Sequence, residues 1–334
     1  MAICDKWCTK IPLPLKTVPA VLLLAGVLAL AANGVSAQQY PAKPIRAIVP
    51  VTAGGPTDVM ARMIGQKIAE AWGQPVVVDN RPGAGGTIGD AVVAKAAPDG
   101  YTLAFVGMHF IIAPMLHANA GYDPIRDFAP ITLAAISPVL ISAHPSFPAR
   151  NVHELTQYAK SNTVSYVSPG RGTAGHLAGE LFSISAGTRL VQIPYKGAAP
   201  AMNDLVGGHV KLGFTALPPA TPHIKSGRLR ALAVTTLARS TSMPDVPTVA
   251  ESGYPGFSAD NMSGIVAPRG TPRPIVDKLS REIARIVGMP DMKERLTAQG
   301  FDPVGNTPDE FSRYLHAEVA KWTKVIQVTG LRAE

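Results

Sequence analysis

Cysteine is nearly missing from this 334-residue chain: the two it has, Cys4 and Cys8, both precede an apolar run from Val18 to Ala32. The body of the chain therefore has no thiol, which excludes a disulfide framework, a thiolate nucleophile and a cysteine-held zinc site there. Charge is sparse as well, with 16% of residues charged, and aromatic residues make up only 6%. The formal net charge of +8 is spread thinly. No block of like charges and no interleaved basic and aromatic stretch stands out, which argues against a nucleic-acid partner. A mildly basic surface does help to attract small anions.

The apolar run is shorter than the ~20 residues a membrane span needs. Lys6, Lys10 and Lys16 precede it and the small residues Val35, Ser36 and Ala37 follow, the pattern of a cleavable export signal over residues 1–37. Cleavage after Ala37 leaves 334 − 37 = 297 residues, and loss of the leader's three Lys and one Asp lowers the charge from +8 to +6. No cysteine at the cleavage point offers a lipid anchor. The expected product is a free exported protein, long enough for two domains.

What fills those residues is an alternation of short β-branched runs and helix-length amphipathic segments. Candidate strands are Ile45–Val51, Val76–Asp79, Tyr101–Val106, Val139–Ala143, Val164–Val167, Val191–Pro194, Val210–Phe214, Leu229–Thr235 and Gly264–Ala267. Between the first two, the apolar residues of Pro56–Trp72 recur at helical spacing on one face. Such alternation predicts an α/β fold with mostly parallel sheets flanked by helices. Two proline-rich irregular stretches, Tyr122–Pro148 and Met243–Gly256, suit a chain that leaves one domain, builds another and returns. The expected division is 38–140 with 264–334 as the first domain and 141–263 as the second. The mostly helical stretch from Thr271 to Thr329 is expected to pack back on the first.

Two loops carry the chemistry. In Val49-Pro50-Val51-Thr52-Ala53-Gly54-Gly55-Pro56-Thr57-Asp58 a strand runs through small residues into a helix. Gly55 fits the N-cap and Pro56 the first helical position. Unpaired N–H groups at the positive end of a helix bind carboxylate or phosphate without a lysine or arginine. Thr52 and Thr57 offer hydroxyls. Asp58 is negative and suits a cap, a bound water or a ligand ammonium instead.

The second loop, Val167-Ser168-Pro169-Gly170-Arg171-Gly172-Thr173-Ala174-Gly175-His176, repeats the design. Ser168, Thr173 and the amides near Gly172 are its candidate donors. His176 falls a turn into the helix, facing loop or core, and Arg171 either stays in solvent or reaches a second anionic group. Two anion-ready helix ends in separate domains suit closure around a small solute at the carboxyl ends of the strands. A third cluster, Pro82-Gly83-Ala84-Gly85-Gly86-Thr87-Ile88-Gly89, misses the dinucleotide spacing because Ile88 stands where glycine is required; it reads as a loop beside the first clamp. No G-x-S-x-G elbow, H-E-x-x-H or dense His/carboxylate cluster is present, so neither catalysis, metal nor cofactor is expected.

The ordered motifs resemble the Bug receptors, the extracytoplasmic solute receptors of tripartite tricarboxylate transporters. The match is carried by Pro50–Asp58 with Ala61-Arg62, Asn80-Arg81-Pro82-Gly83-Ala84-Gly85-Gly86, Pro98-Asp99-Gly100-Tyr101-Thr102-Leu103 and Tyr122-Asp123-Pro124. It continues through Ser168-Pro169-Gly170-x-Gly172-Thr173-x-x-His176-Leu177, Tyr195-Lys196-Gly197, Pro244-Asp245-Val246-Pro247-Thr248, Gly253-Tyr254-Pro255-Gly256 and Ala267-Pro268 to Pro272. The resemblance implies a type II-like periplasmic binding protein of two α/β domains joined by crossing strands. It implies a monomer that passes a small carboxylate to membrane permease subunits or presents it to a sensor ectodomain. A secreted α/β hydrolase is the competing class. Carried over from the family, Thr52, Ala53, Gly54, Gly55, Thr57 and Asp58 face one side of the ligand's carboxylate, and Ser168, Gly170, Gly172, Thr173 and His176 the other.

Some positions depart from the family pattern. Val51 and Met262 replace common aromatics, Met108-His109-Phe110 replaces a small hydroxyl-rich stretch, and Thr215-Ala216 replaces an Asp-Asn-like pair. Met108 and Phe110 would make the distal pocket apolar, and Thr215 would remove a charge suited to an ammonium. A non-amino carboxylate with an aromatic or alkyl body is the expectation.

Overall fold

The computed structural model describes residues 40–331 except 118 and 196. The expected leader, its cleavage site and Lys196 lie outside the described residues.

Strands β1 (Ile45–Val49), β2 (Val76–Asn80) and β3 (Thr102–Val106) run parallel, with Ile45 opposite Val76 and Ala47 opposite Leu103. Helix α1 (Pro56–Trp72) makes the first crossover. It begins where Gly55 leaves the extended conformation and Pro56 needs no N–H, and it ends at Gly73 in the left-handed region. Its buried stripe of Met60, Ile64 and Ile68 seals one face of the sheet. Gly65 allows the closest approach, since a Cβ there would stand 3.1 Å from Val76 Cγ1. Helices α2 (Thr87–Ala94) and α3 (His109–Leu116) follow β2 and β3.

The parallel strands make one half of this first sheet, and antiparallel crossing strands make the other. The order is β11-β4-β10-β3-β1-β2, where β4 is Phe128–Ser137, β10 Asn261–Pro268 and β11 Asp302–Pro303. β10 is antiparallel to both β3 and β4. Helices α8 (Arg273–Gly288), α9 (Pro290–Ala298) and α10 (Pro308–Thr329) complete the layer, α8 and α10 packing on β4. Thr307 caps α10 by a reciprocal capping box with Glu310.

The second sheet is also mixed, in the order β7-β6-β8-β5-β9. Its strands are β5 (Val139–Ala143), β6 (Val164–Ser168), β7 (Leu190–Pro194), β8 (Leu212–Ala216) and β9 (Arg230–Val234). Helices α4 (Val152–Ser161), α5 (Ala174–Ala186), α6 (Ala198–Val206) and α7 (Leu217–Lys225) flank it. β6 is parallel to β7 and β8, whereas β5 runs antiparallel to β8 and β9.

The segment expected to be irregular before Pro148 contains the ten-residue strand β4. Its burial shows no alternation, and both α8 and α10 pack on it. Pro130 is tolerated in it: β11 pairs only near Ile136, so Pro130 meets one neighbour, opposite Val266 at a register shift. The stretch from Met243 to Gly256 is irregular, as expected.

Only Pro138 separates β4 from β5, so the outward crossing between sheets is a single residue. The return runs from β9 to β10. Buried Thr235 ties the two together: Val139 N donates to its Oγ1 at 3.1 Å, and that hydroxyl lies 2.9 Å from Ala259 O on the returning chain. One buried cluster runs from Ile48 and Val106 through Leu133 and Val139 to Tyr166 and Phe214.

Candidate ligand-binding site

The loop between β1 and α1 is held from beneath by a carboxylate. Asp58 is 2% exposed; its Oδ2 accepts from Gly54 N at 2.9 Å and Arg62 Nε at 3.0 Å. Its Oδ1 accepts from Arg62 Nη2 and Asn80 Nδ2, both at 3.0 Å, and Asn80 Nδ2 also donates to Val51 O at 3.1 Å. Burial alone would raise the Asp58 pKa, but the bonds from Arg62, Gly54 and Asn80 outweigh it and hold the carboxyl below its usual range. Asp58 thus shapes the loop from inside and does not border the cavity. Gly54 turns its N–H inward to that carboxylate and, like Ala53, stands outside the cavity wall.

The loop between β6 and α5 is stapled differently. The Thr173 hydroxyl donates to Gly170 O at 2.7 Å and accepts from His176 N at 3.4 Å as the N-cap. Ser168, fully buried, donates to the same carbonyl at 3.3 Å and accepts from Gln192 Nε2 at 2.7 Å. Both hydroxyl hydrogens, which the sequence reading offered to a ligand, are thereby directed to the Gly170 carbonyl in this structure. His176 folds back on the loop, its Nδ1 accepting from Gly172 N at 3.0 Å. Burial, then repulsion from Arg171, lowers its pKa to about 4, which keeps that ring nitrogen an acceptor. Gly172 needs its positive φ of 71°, and a Cβ there would stand 3.4 Å from Leu116 Cδ1, across from α3.

Between the two loops lies a cleft of about 530 Å³, within the range of small-molecule sites. From the first loop Thr52, Gly55 and Thr57 border it, and from the second Gly172, Thr173, Ala174 and Gly175. The N–H groups of Thr57, Asp58, Ala174 and Gly175 belong to the first turns of α1 and α5, which have no intrahelical carbonyl to meet. Pro138, Val139 and Asn261 place both crossings between the sheets in the same wall. Ser168, Gly170, His176 and Thr215 stand behind it; Thr215 is 1% exposed.

Two further walls complete the cleft: the glycine cluster expected beside the first clamp, and a helix of which the sequence reading had picked out only Met108 as a lining residue. Gly83, Gly85 and Gly86 form a third small-residue turn ahead of α2, and all three border the cleft. Their clustering was the available signal. The other wall is α3, which presents Met108, His109, Ile112, Ala113 and Leu116 at i, i+4 spacing. Phe110 does not belong to it. Two residues along a helix from Met108, it points away, is fully buried, and stacks on Tyr122 with ring centroids 5.5 Å apart. Met262 is likewise core.

Behind α3 lies a buried polar network of Asp90, His109 and Tyr122. Pro114 removes the N–H that would meet Phe110 O, and the Tyr122 hydroxyl takes its place at 3.0 Å. Tyr122 Oη is also 3.1 Å from Asp90 Oδ2. The one hydroxyl hydrogen is thus shared between the Phe110 carbonyl and the Asp90 carboxyl. Burial pushes the Asp90 pKa well up, opposed only by the Tyr122 bond. His109 Nε2 lies 3.7 Å from the same carboxyl oxygen, and burial lowers that imidazole to about 4. The ring fits because Gly86 has no side chain: a Cβ there would come within 2.5 Å of His109 Cδ2.

Two helix-flanked mixed sheets, joined by two crossings that border a ligand-sized cleft, define the class of periplasmic solute-binding proteins. Within it, the chain belongs to the tripartite tricarboxylate transporter family of receptors, whose family model matches residues 60–331. It is similar to Protein BugT of Bordetella pertussis (strain Tohama I), with 38% identity over 302 residues covering 89% of this chain and 93% of that one. Among solved structures, periplasmic binding protein BugD superposes with a TM-score of 0.73 at 40% identity, covering 88% and 100% of the two chains. R. palustris Rpa4515 with adipate superposes with a TM-score of 0.76 at 36% identity, covering 88% and 99%. Among the described residues no helix is long and apolar enough to cross a membrane.

Proposed function

We propose that this chain is an exported receptor that captures a small carboxylate in the cleft and delivers it to membrane permease subunits, without chemical turnover. The observation that carries this reading is the convergence of two helix N-termini, through Thr57 and through Ala174 and Gly175, on one cavity. Backbone amides there supply hydrogen bonds and partial positive charge to one carboxylate. Buried Asp58, Ser168 and His176 fix those amides and are not contacts themselves. In this reading 38–140 with 264–334 move as one domain and 141–263 as the other, hinged where Thr235 ties Val139 to Ala259. The receptor works in the periplasm as a monomer after removal of residues 1–37. Adipate in a relative of 36% identity supports a carboxylate as the ligand class.

A thermal-shift panel on ligand-stripped protein purified from the periplasm tests the reading. Ligand at 100 Kd stabilises by about 2.7 kcal/mol, so a carboxylate should raise the melting point by several degrees and its neutral amide should not. A panel in which no carboxylate shifts the transition refutes it. Loss of uptake of the same acid in a deletion strain supports transport, whereas lost induction with intact uptake moves the role to a sensor.

A further inference from the structure

Resting on the carboxylate reading above, we propose that the α3 wall makes this receptor selective for monocarboxylates with a ring-sized apolar body, and against a second carboxylate. Met108, Ile112, Ala113 and Leu116 turn one continuous apolar helix face to the cleft. Pro138 and Val139 on the outward crossing, with Ala198 and Ala216 from the second-sheet side, extend that surface. Among the described lining residues there is no Asp, Glu or Lys, so a ligand ammonium meets no carboxylate. Among the described lining residues Arg171 is the one permanently charged side chain, and it sits on the loop at the start of α5.

The polar group behind this wall cannot supply a second anion site. His109 Nε2 and Asp90 Oδ1 are both buried without a hydrogen-bond partner. Asp90 Oδ2 lies 3.7 Å from that nitrogen, so a charge on the ring would face the Asp90 carboxyl rather than a ligand in the cleft. The ring therefore joins the wall as a flat neutral surface between Gly86 and Gly107, whose Cβ positions would fall 2.5 Å and 3.3 Å from it. His117, beside Gly85, is the remaining imidazole in the wall. A second carboxylate laid against α3 would lose water without gaining a charged partner there, whereas an aryl or cycloalkyl body gains apolar contact along that face.

Isothermal titration calorimetry at pH 8, above the ordinary imidazole range, decides the point with matched probes. Benzoate and cyclohexanecarboxylate are compared with terephthalate, adipate and benzamide. Benzoate should bind at least about tenfold more tightly than terephthalate and adipate, or roughly 1.4 kcal/mol, and benzamide should not bind. Leu116→Lys, which puts a cation into the half-buried part of the wall, should weaken benzoate about tenfold and improve terephthalate. Leu116→Met should leave the native order intact. If Leu116→Lys fails to fold, the ratio on the native protein decides alone. Terephthalate or adipate binding as well as benzoate, or better, overturns the selectivity while leaving the carboxylate receptor standing. No binding of any acid overturns both.

Discussion

Asp58 is the residue whose loss should separate loop scaffolding from direct ligand contact. In Asp58→Ala the Gly54 N–H and the Asn80 amide both lose a charged acceptor, each bond contributing about 1.5–3 kcal/mol. The two bonds from Arg62 add little, since that guanidinium is half exposed and an exposed pair contributes about 0–1 kcal/mol. Relaxation of the exposed loop recovers part of the loss, so the expected destabilisation is about 3 kcal/mol. Ligand affinity should fall as well, although Asp58 touches no ligand in this reading. Re-ordering even one loop residue on binding costs about 1–2 kcal/mol, near a tenfold rise in Kd. Urea unfolding and calorimetry on the same preparations measure the two effects. The carboxyl is held below its unfolded value of 3.8. Its stabilisation is therefore complete above that pH and lost as pH falls through the folded pKa, and Asp58→Ala should lack this acid-dependent part. Arg62→Ala should change stability far less than Asp58→Ala, because its guanidinium is solvent-screened. An Asp58→Ala protein with native stability and native affinity would refute the scaffold argument.

Three other substitutions follow from particular contacts. Gly175→Ala places a methyl well inside 3.0 Å of Phe214 O, a backbone atom that cannot rotate away; a loss of about 1–3 kcal/mol or more is expected in urea unfolding. Gly288→Ala at the end of α8 meets nothing within 4 Å, so it should be neutral or stabilise by about 0.5–1 kcal/mol. Asp260, next to the return crossing, has its pKa raised by burial from 3.8 to about 7. The folded state then keeps a proton that the unfolded chain releases, so this group's contribution is full below pH 3.8 and lost as pH rises to about 7. Asp260→Asn should match the native protein near pH 4 and exceed it near pH 8 by up to about 4 kcal/mol; equal stability profiles would rule this out.

How much of this was legible in the sequence depends on how locally each feature is encoded. The strands of the two sheets advertise themselves as short β-branched runs between helical patterns, as at Ile45 and Val164, because a buried parallel strand needs little beyond that. The loop before α1 is equally local: Gly55 and Pro56 announce a helix start whatever surrounds them. β4 is hidden because Pro130 is acceptable only where β11 fails to reach, a fact about a neighbour 170 residues away in the chain. The roles of Asp58, Ser168 and Thr173 depend on the same kind of knowledge. Their side chains are chemically able to touch a ligand, and only the positions of Gly54 N and Gly170 O turn them inward. Met108 and Phe110 make the general point. Read as a stretch they look like one apolar surface, yet the helical turn sends them to opposite faces, one to the cleft and one to the stack on Tyr122. In the proposed receptor, ligand selection is therefore set less by residue type than by which face of α3 the polar network of Asp90, Tyr122 and His109 holds against the cleft.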